Sequence, residues 1–254
     1  MSLVSKNWED GVTMGILSFL KKRKKHKRPT CAAVIAAAGS STRMGQDKLL
    51  MFLDDAPVIV HTMLAFEQCD LVDKIILVTR SDMIVDMNSL CRDYGLSKVT
   101  DIISGGENRS QSVLKGVIAA GDAEYVMIHD GARPLVSEEV IADTFNAAVE
   151  FGAAAPGVRV KDTIKIVKGD LVTSTPDRDS LVAVQTPQVF YTGLIKGALS
   201  RALENNESFS DDCAAVEAIG MSVHITKGDY RNIKITTQED YITACALISG
   251  EVLV

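Results

Sequence analysis

A loop that combines small residues with two cations follows the first apolar segment of the chain. Residues 31–38 read CAAVIAAA and residues 39–48 read GSSTRMGQDK, in which Arg43 and Lys48 are the cations. Small residues let backbone N–H groups approach an anion, and the two cations could neutralise charge on a phosphoryl group under attack. The loop matches neither GxxxxGKS/T nor GxGxxG, the two common phosphate-binding motifs. It therefore predicts a triphosphate site of another kind, and a tight turn with surface charges is the alternative.

A carboxylate ends another apolar segment. Asp130 follows residues 125–129, which read YVMIH, and Arg133 lies close behind it. A hard carboxylate at the end of a strand can hold Mg²⁺ against phosphate oxygens. The sequence therefore predicts a cation site at Asp130 and an anion contact at Arg133. A turn-capping aspartate and an arginine paired with a structural carboxylate are the alternatives.

Alternating strands and helices must position these loops. The pattern predicts strands at 31–38, 74–79, 98–103 and 125–129, and helices at 57–68, 81–94, 108–120 and 137–151. Such alternation favours an α/β fold with a doubly wound, mainly parallel sheet and right-handed crossovers. Ligands of these sheets bind outside the carboxyl ends of the strands. The loops at 39–48, 104–112 and 130–134 should therefore form the site.

The alternation is interrupted after Gly152. Residues 161–168 and 170–175 are rich in β-branched side chains and flank a Gly-Asp turn, which predicts a β-hairpin that projects as an arm of about residues 157–182. The chain then returns through a strand segment at 181–190. A helix at 192–204, a short helix near 211–219, a strand at 222–226 and a helix after Thr237 follow. We expect one domain over residues 30–254.

Composition excludes several classes of protein. The chain is 46% hydrophobic and 24% charged with a formal net charge of −6, which suits one α/β domain and argues against a nucleic-acid binder. No apolar run is long enough for stable membrane insertion. Five scattered cysteines without a CxxC pair indicate reduced thiols in a cytoplasmic protein. His61, His129 and His224 are too dispersed for a metal cluster, and we expect them to be structural.

The first 29 residues differ from the rest of the chain. An apolar stretch at 14–20 precedes a basic run at 21–28, KKRKKHKR. A secretory signal has its positive charges before the apolar region, so this order excludes one. We expect a basic, flexible extension, and a weak anchor to anionic membrane or nucleic acid is the alternative.

Six ordered motifs carry a resemblance to a known family. They are AAVIAAAGSSTRMGQDK at 32–48, GGENRSQSV at 105–113, HDGARP at 129–134, VKDTIK at 160–165, TPQVF at 186–190 and NIKIT at 232–236. The first resembles the start of the sugar-phosphate nucleotidyltransferases, and the set resembles the 2-C-methyl-D-erythritol 4-phosphate cytidylyltransferases of non-mevalonate isoprenoid biosynthesis. The resemblance implies a Rossmann-like nucleotidyltransferase fold and Mg²⁺ as cofactor. It also implies that CTP and the polyol phosphate are converted to 4-diphosphocytidyl-2-C-methyl-D-erythritol and pyrophosphate.

The resemblance also implies roles for individual residues. Catalytic stabilisation of charge on the α-phosphate would come from Arg43, Lys48 and Lys234, and Asp130 would position Mg²⁺. The nucleotide would be bound by Ala37, Ala38, Gly39, Gly106, Glu107, Arg109 and Ser112. Thr163 and Arg178 would grip methylerythritol phosphate. In this family the arm that bears them reaches into the partner subunit, which implies a homodimer with shared active sites.

Three other functions compete with this one. A ribitol-5-phosphate cytidylyltransferase would share the fold, metal and nucleotide, but VKDTIK and Arg178 favour methylerythritol phosphate as the acceptor. A dinucleotide-binding module is disfavoured because the loop lacks GxGxxG and no acidic residue closes the strand at Thr79. A non-catalytic nucleotide-binding or interaction protein is disfavoured by the intact set of charged site residues.

Overall fold

The computed structural model describes residues 28–39 and 47–250. In chain order its strands are β1 (Cys31–Ala37), β2 (Phe52–Leu53), β3 (Ala56–Pro57), β4 (Lys74–Thr79), β5 (Val99–Ser104), β6 (Tyr125–Asp130), β7 (Ala153–Arg159), β8 (Ile166–Lys168), β9 (Leu171–Ser174), β10 (Val182–Val184), β11 (Gln188–Tyr191) and β12 (His224–Lys227). Its helices are α1 (Val58–Glu67), α2 (Ile84–Asp93), α3 (Arg109–Ala119), α4 (Glu138–Phe151), α5 (Thr192–Glu204), α6 (Asp212–Glu217) and α7 (Gln238–Ser249). Two 3₁₀ turns lie at Ser81–Met83 and Arg178–Ser180.

One central sheet organises these elements. Among the described residues it has eight strands in the order β10-β7-β11-β6-β1-β4-β5, with β12 paired to β7. β1 is parallel to β4 and β6, β4 is parallel to β5, and β12 is parallel to β7. β10 and β11 run antiparallel to their neighbours. The predicted doubly wound, mainly parallel sheet is therefore confirmed.

Side chains of β1 enter the two larger hydrophobic cores of the described residues. Cys31, Ala33 and Ile35 pack in the core beneath α1, α2 and α4. The intervening Ala32 and Val34 pack in the core beneath α3, α5 and α6. Successive side chains of a strand point to opposite faces, so a central strand that is buried on both faces must be apolar at every position. That requirement explains the continuous CAAVIAA sequence of this strand.

Local signals mark the ends of α4 as the sequence predicts. Ser137 accepts a hydrogen bond from the backbone N–H of Val140, and Glu138 and Glu139 occupy the positive first turn. The helix ends at Gly152, whose φ of 90° lies in the left-handed region that glycine adopts without strain. The predicted helix at 81–94 begins differently, because Ser81 makes no capping bond and opens a 3₁₀ turn before α2.

β7 is a strand that our sequence analysis did not predict. Its sequence AAAPGVR has few β-branched residues, so local propensity does not indicate a strand. Pairing decides its conformation, because β10 and β11 pair with it antiparallel and β12 pairs with it in parallel. The short hairpin of β2 and β3 was also not predicted.

The predicted hairpin arm is present, although its strands are shorter than expected. β8 and β9 pair with each other and with no other strand in the described part of the chain. Four apolar side chains of this arm are more than half exposed: Ile166, Val167, Leu171 and Val172. The arm therefore presents an apolar surface that its own protomer does not cover.

The amino-terminal extension lies outside the described residues except for Arg28 and Pro29. The guanidinium of Arg28 pairs with Asp73 at 2.6 Å, and Asp73 also accepts from the backbone N–H of Cys31. These contacts fix the start of β1. Between residues 28 and 250, outside the gap at 40–46, no helix has the length and apolar character that crossing a membrane requires.

Candidate active site

A cleft of about 640 Å³ opens at the carboxyl ends of the parallel strands. Ten of the predicted site residues line it: Ala37, Ala38, Gly39, Lys48, Gly106, Glu107, Arg109, Ser112, Asp130 and Lys234. Arg43 lies outside the described residues. Thr163 and Arg178 are exposed on the arm and do not line this cleft. The loops after β1, β5 and β6 thus meet as the parallel topology predicts.

Asp47 fixes the backbone beside Lys48. One carboxylate oxygen of Asp47 accepts from the backbone N–H of Leu49 at 3.2 Å, and the other pairs with Arg80 at 2.8 Å. Lys48 therefore follows a residue that is tied to the sheet through Arg80, at the end of β4. Sequence reasoning did not identify Arg80, because its contact with Asp47 spans 33 residues.

A network of hydrogen bonds shapes the loop at residues 105–112. Ser112 Oγ donates to the carbonyl of Asn108 at 2.8 Å and accepts from the backbone N–H of Gly106 at 2.9 Å. Asn108 caps α3 by accepting from the backbone N–H of Gln111. The hydroxyl of Ser112 retains one lone pair, which could accept from the amino group of a cytosine. This loop is thus ordered by its own contacts before a nucleotide binds.

Asp130 presents its carboxylate to three cations at the end of β6. Oδ2 lies 3.0 Å from Nζ of Lys234 and 3.3 Å from Nε of Arg133. Oδ1 lies 3.9 Å from the guanidinium of Arg109. Burial opposes ionisation of this carboxyl, but Lys234, Arg109 and Arg133 outweigh it and lower its pKa to about 2. Asp130 is therefore ionised at neutral pH.

A buried aspartate that sequence analysis did not identify holds Arg109. The guanidinium of Arg109 donates two hydrogen bonds of 2.8 Å to the carboxylate of Asp212, which is 1% exposed. Gln188 orients Asp212 by accepting from its backbone N–H at 3.0 Å. These bonds restrict rotation of the Arg109 side chain and hold its guanidinium near Asp130. Asp212 is 103 residues from Arg109, and the acidic pair at 211–212 was the only local signal.

Backbone contacts hold the segment that carries Lys234 beside β6. The N–H of Ile235 donates to the carbonyl of Ala132 at 2.9 Å, and Arg133 donates to the carbonyl of Asn232 at 2.7 Å. Lys234 is partly exposed and reaches Asp130 from this segment. Lys48 and Lys234, which are 186 positions apart in the sequence numbering, line the same cleft.

The base of the arm has contacts of its own. Tyr230 donates to the carbonyl of Arg159 at 2.7 Å, and Nζ of Lys161 lies 3.9 Å from the centre of the Tyr230 ring. Arg178 donates to the carbonyl of Lys161 at 3.1 Å. A second cleft of about 620 Å³ lies here and contains none of the predicted site residues.

Comparisons with known proteins point to one family. A family model described as IspD, 2-C-methyl-D-erythritol 4-phosphate cytidylyltransferase, matches residues 31–250. The chain is 43% identical over 220 residues to the 2-C-methyl-D-erythritol 4-phosphate cytidylyltransferase of Geobacillus kaustophilus, which covers 86% of this chain and 96% of that relative. It is 41% identical over 212 residues to the protein of the same name from Clostridium novyi, with 82% and 92% covered.

Solved structures show the same similarity. The 4-diphosphocytidyl-2C-methyl-D-erythritol synthase of Anaerococcus prevotii superposes with a TM-score of 0.77 at 32% identity, covering 87% of this chain and 96% of that one. The 2-C-methyl-D-erythritol 4-phosphate cytidylyltransferase of Thermus thermophilus gives 0.72 at 28% identity, covering 85% and 98%. Sequence and structure thus agree over nearly the whole described part of the chain.

Proposed function

The chain belongs to the 2-C-methyl-D-erythritol 4-phosphate cytidylyltransferase family of isoprenoid biosynthesis, and we propose that the cleft around Asp130 joins CTP to methylerythritol phosphate with Mg²⁺. The observation that carries this proposal is the ionised Asp130 in a cleft lined by Lys48 and Lys234. The products are 4-diphosphocytidyl-2-C-methyl-D-erythritol and pyrophosphate.

The reaction needs positive charge rather than a general base. An oxygen of the methylerythritol phosphate bonds to the α-phosphorus of CTP while the bond from that phosphorus to the bridging oxygen breaks. Pyrophosphate leaves with the electron pair. A phosphomonoester has a second pKa of about 6, so its attacking oxygen is mostly deprotonated at neutral pH. Lys48 and Lys234, with Arg43 from the adjoining loop, would stabilise the charge that gathers on the α-phosphate.

Asp130 has the chemistry that a Mg²⁺ ion requires in such a site. The described ranges contain no cluster of three or more His, Cys, Asp or Glu side chains placed to hold a metal ion, so Asp130 would have to bind it with the substrate. Mg²⁺ commonly uses one or two carboxylates and completes its shell with substrate phosphates and water. When bound, the ion would reduce the repulsion among phosphate oxygens and stabilise the leaving pyrophosphate. Lys234 would then pair with a phosphate oxygen instead of with Asp130.

The nucleotide would be read by the loops after β1 and β5. The backbone of Ala37, Ala38 and Gly39 lies at one side of the cleft, and Gly106, Glu107 and Ser112 lie at another. Selection of cytosine through backbone groups suits a loop that is already held in shape by Ser112 and Asn108. Arg109, held by Asp212, would support this loop and the Asp130 carboxylate.

Homodimer formation through the arm would complete the acceptor site. Thr163 and Arg178 are exposed and do not line the cleft of their own protomer. The apolar side chains of the arm form a surface of the kind that marks protein contacts. The arm would therefore carry Thr163 and Arg178 to the partner's cleft, where the arginine fork suits a phosphate. All five cysteines are free thiols, which supports a cytoplasmic location.

Pyrophosphate release tests the acceptor directly. Purified protein is given Mg²⁺ and CTP with methylerythritol phosphate in one reaction and ribitol 5-phosphate in another. We expect turnover with the first acceptor and little with the second. The reverse preference would assign the chain to ribitol phosphate, and silence with both would contradict the proposed reaction.

A further inference from the structure

A set of buried polar side chains lies directly behind the cleft and has no role in the reaction as described so far. His129 and Asn232 are fully buried, Thr186 is 4% exposed and Gln185 is 7% exposed. Burying so many polar groups is unfavourable unless they bond to one another. Their bonds join three segments: the end of β6, the chain just before β11, and the segment that carries Lys234.

Thr186 continues the sheet where β11 has ended. β11 pairs with β6 from Gln188 opposite Ile128 to Tyr191 opposite Tyr125. Two residues beyond the Gln188 pair, the hydroxyl of Thr186 accepts from the backbone N–H of Asp130 at 3.1 Å. A side-chain oxygen thus replaces the backbone carbonyl that an antiparallel ladder would supply. This bond fixes the backbone of the residue that presents the carboxylate.

The protons of the network can be assigned from its acceptors. Nε2 of His129 lies 3.1 Å from the carbonyl of Arg133, and a carbonyl only accepts, so Nε2 carries the ring proton. Nδ1 of the neutral ring is then an acceptor, and the Thr186 hydroxyl donates to it at 2.9 Å. The hydroxyl donates once and accepts once. His129 thereby links Thr186 to the backbone of Arg133.

The same network reaches the segment that carries Lys234. Asn232 donates from Nδ2 to the carbonyl of Thr186 at 2.9 Å. Gln185 donates to the carbonyl of Asp229 at 2.8 Å and accepts from its N–H at 3.3 Å. Hydrogen bonds therefore link residues 185–186 to the backbone of Asp130, to the backbone of Arg133 through His129, and to the Lys234 segment through Asp229 and Asn232.

We propose that Thr186 and His129 are positioning residues that hold the Asp130 carboxylate and the Lys234 segment in the geometry that binds the metal-bound triphosphate. This inference rests on the proposed function, because it assigns these residues through Asp130 and Lys234. Neither residue lines the cleft. Their effect is exerted through the backbone of Asp130 and Arg133.

Thr186→Val tests the proposal, since valine keeps the shape and removes the hydroxyl. The N–H of Asp130 loses its acceptor and Nδ1 of His129 loses its donor. We expect kcat to fall and the half-saturating Mg²⁺ concentration to rise by about 10- to 100-fold, as for other residues that orient a metal-binding carboxylate. Thr186→Ser, which keeps the hydroxyl, should restore both quantities.

Thr144→Val is the matched control. Thr144 is also fully buried, and its hydroxyl donates to the carbonyl of Val140 at 2.7 Å in α4. This variant should lose stability without a change in Mg²⁺ dependence. A Thr186→Val protein with wild-type kcat and Mg²⁺ dependence, or with a lower melting temperature alone, would overturn the inference. A wild type without turnover would instead contradict the proposed function.

The ring tautomer gives a second measurement, made on the wild-type protein and independent of turnover. In ¹⁵N-histidine-labelled wild-type protein we expect the fully buried His129 to carry its proton on Nε2, with Nδ1 unprotonated and hydrogen-bonded. His129→Gln identifies the resonance by its disappearance. A proton on Nδ1 would reverse the bond to Thr186 and overturn the assignment.

Discussion

At the level of single residues, three cations share two carboxylates beside the cleft before any substrate enters. Asp130 faces Lys234, Arg133 and Arg109, and the nearby Arg109 is neutralised by Asp212. We therefore expect a triphosphate that enters the cleft to replace Asp130 as the partner of Lys234. The motifs predicted Asp130 and Lys234 from local sequence. They could not predict Asp212 or Arg80, since both act through contacts that only the fold creates.

Removing either lysine of the cleft should slow the chemical step. We expect Lys48→Ala and Lys234→Ala each to lower kcat by about 10²- to 10³-fold, the scale seen when one group that stabilises transition-state charge is lost. Lys196→Ala, at an exposed position of α5, is the control. Steady-state pyrophosphate release and circular dichroism are the measurements. Near-normal turnover in a folded variant would remove that lysine from the mechanism.

Asp130→Asn should chiefly change the dependence on magnesium. The amide keeps the size of the side chain but loses the negative charge that attracts a divalent cation. A Mg²⁺ titration of initial rates should shift to higher concentration, while Asp143→Asn on the exposed side of α4 should leave it unchanged. An unaltered titration for Asp130→Asn would show that the carboxylate does not hold the metal.

Among the elements, α3 depends on a close approach to the sheet. A Cβ on Gly116 would lie 2.4 Å from Cγ1 of Val34 and 2.9 Å from Cγ2 of Val78, both fully buried. The glycine thus lets α3, whose first turns carry Arg109 and Ser112, lie directly on β1 and β4. The alternating pattern predicted this helix at 108–120, but the contact at Gly116 depends on packing that sequence alone does not show. β7 was not predicted because its conformation likewise depends on contacts with distant segments, here β10, β11 and β12.

Two glycine-to-alanine changes separate packing from helix propensity. Gly116→Ala should destabilise the protein by about 1–3 kcal/mol through overpacking, which exceeds the gain of about 1 kcal/mol from alanine in a helix. Gly197→Ala in α5 is the control, because nothing lies within 4 Å of its Cβ. It should stabilise the protein by about 0.5–1 kcal/mol. Denaturant unfolding measures both, and a Gly116→Ala protein as stable as wild type would contradict the packing argument.

The whole molecule combines a cleft with an arm. Within the described ranges, the arm contributes no residue to the cleft of its own protomer. The six motifs predicted both parts, because each contains residues of recognisable type and order. The exposure of Ile166, Val167, Leu171 and Val172 could not be predicted from the same β-branched pattern, which a buried strand would also show. Whether the arm acts in the cleft of its own protomer or of a partner depends on how protomers assemble. An experiment with mixed protomers distinguishes the two.

Mixed dimers should recover activity if the arm acts in the partner. Arg178→Ala leaves a protomer with an intact cleft, and Lys48→Ala leaves one with an intact arm. A mixed dimer then contains one complete site, so an equal mixture should regain about a quarter of wild-type turnover after subunit exchange. Analytical ultracentrifugation would establish the dimer. A mixture as inactive as its components would place Arg178 in the cleft of its own chain.

The contact between Arg28 and Asp73 fixes where the polypeptide enters the domain. β1 runs from Cys31 to Ala37, and the cleft begins where this strand ends. A strand of this length spans roughly 20 Å, so the entry point lies at the end of the strands opposite the cleft. A purification tag or a solid support joined directly at Arg28, in a protein that lacks residues 1–27, would therefore be attached on the side away from the mouth of the cleft. The immobilised enzyme should remain open to CTP from solution.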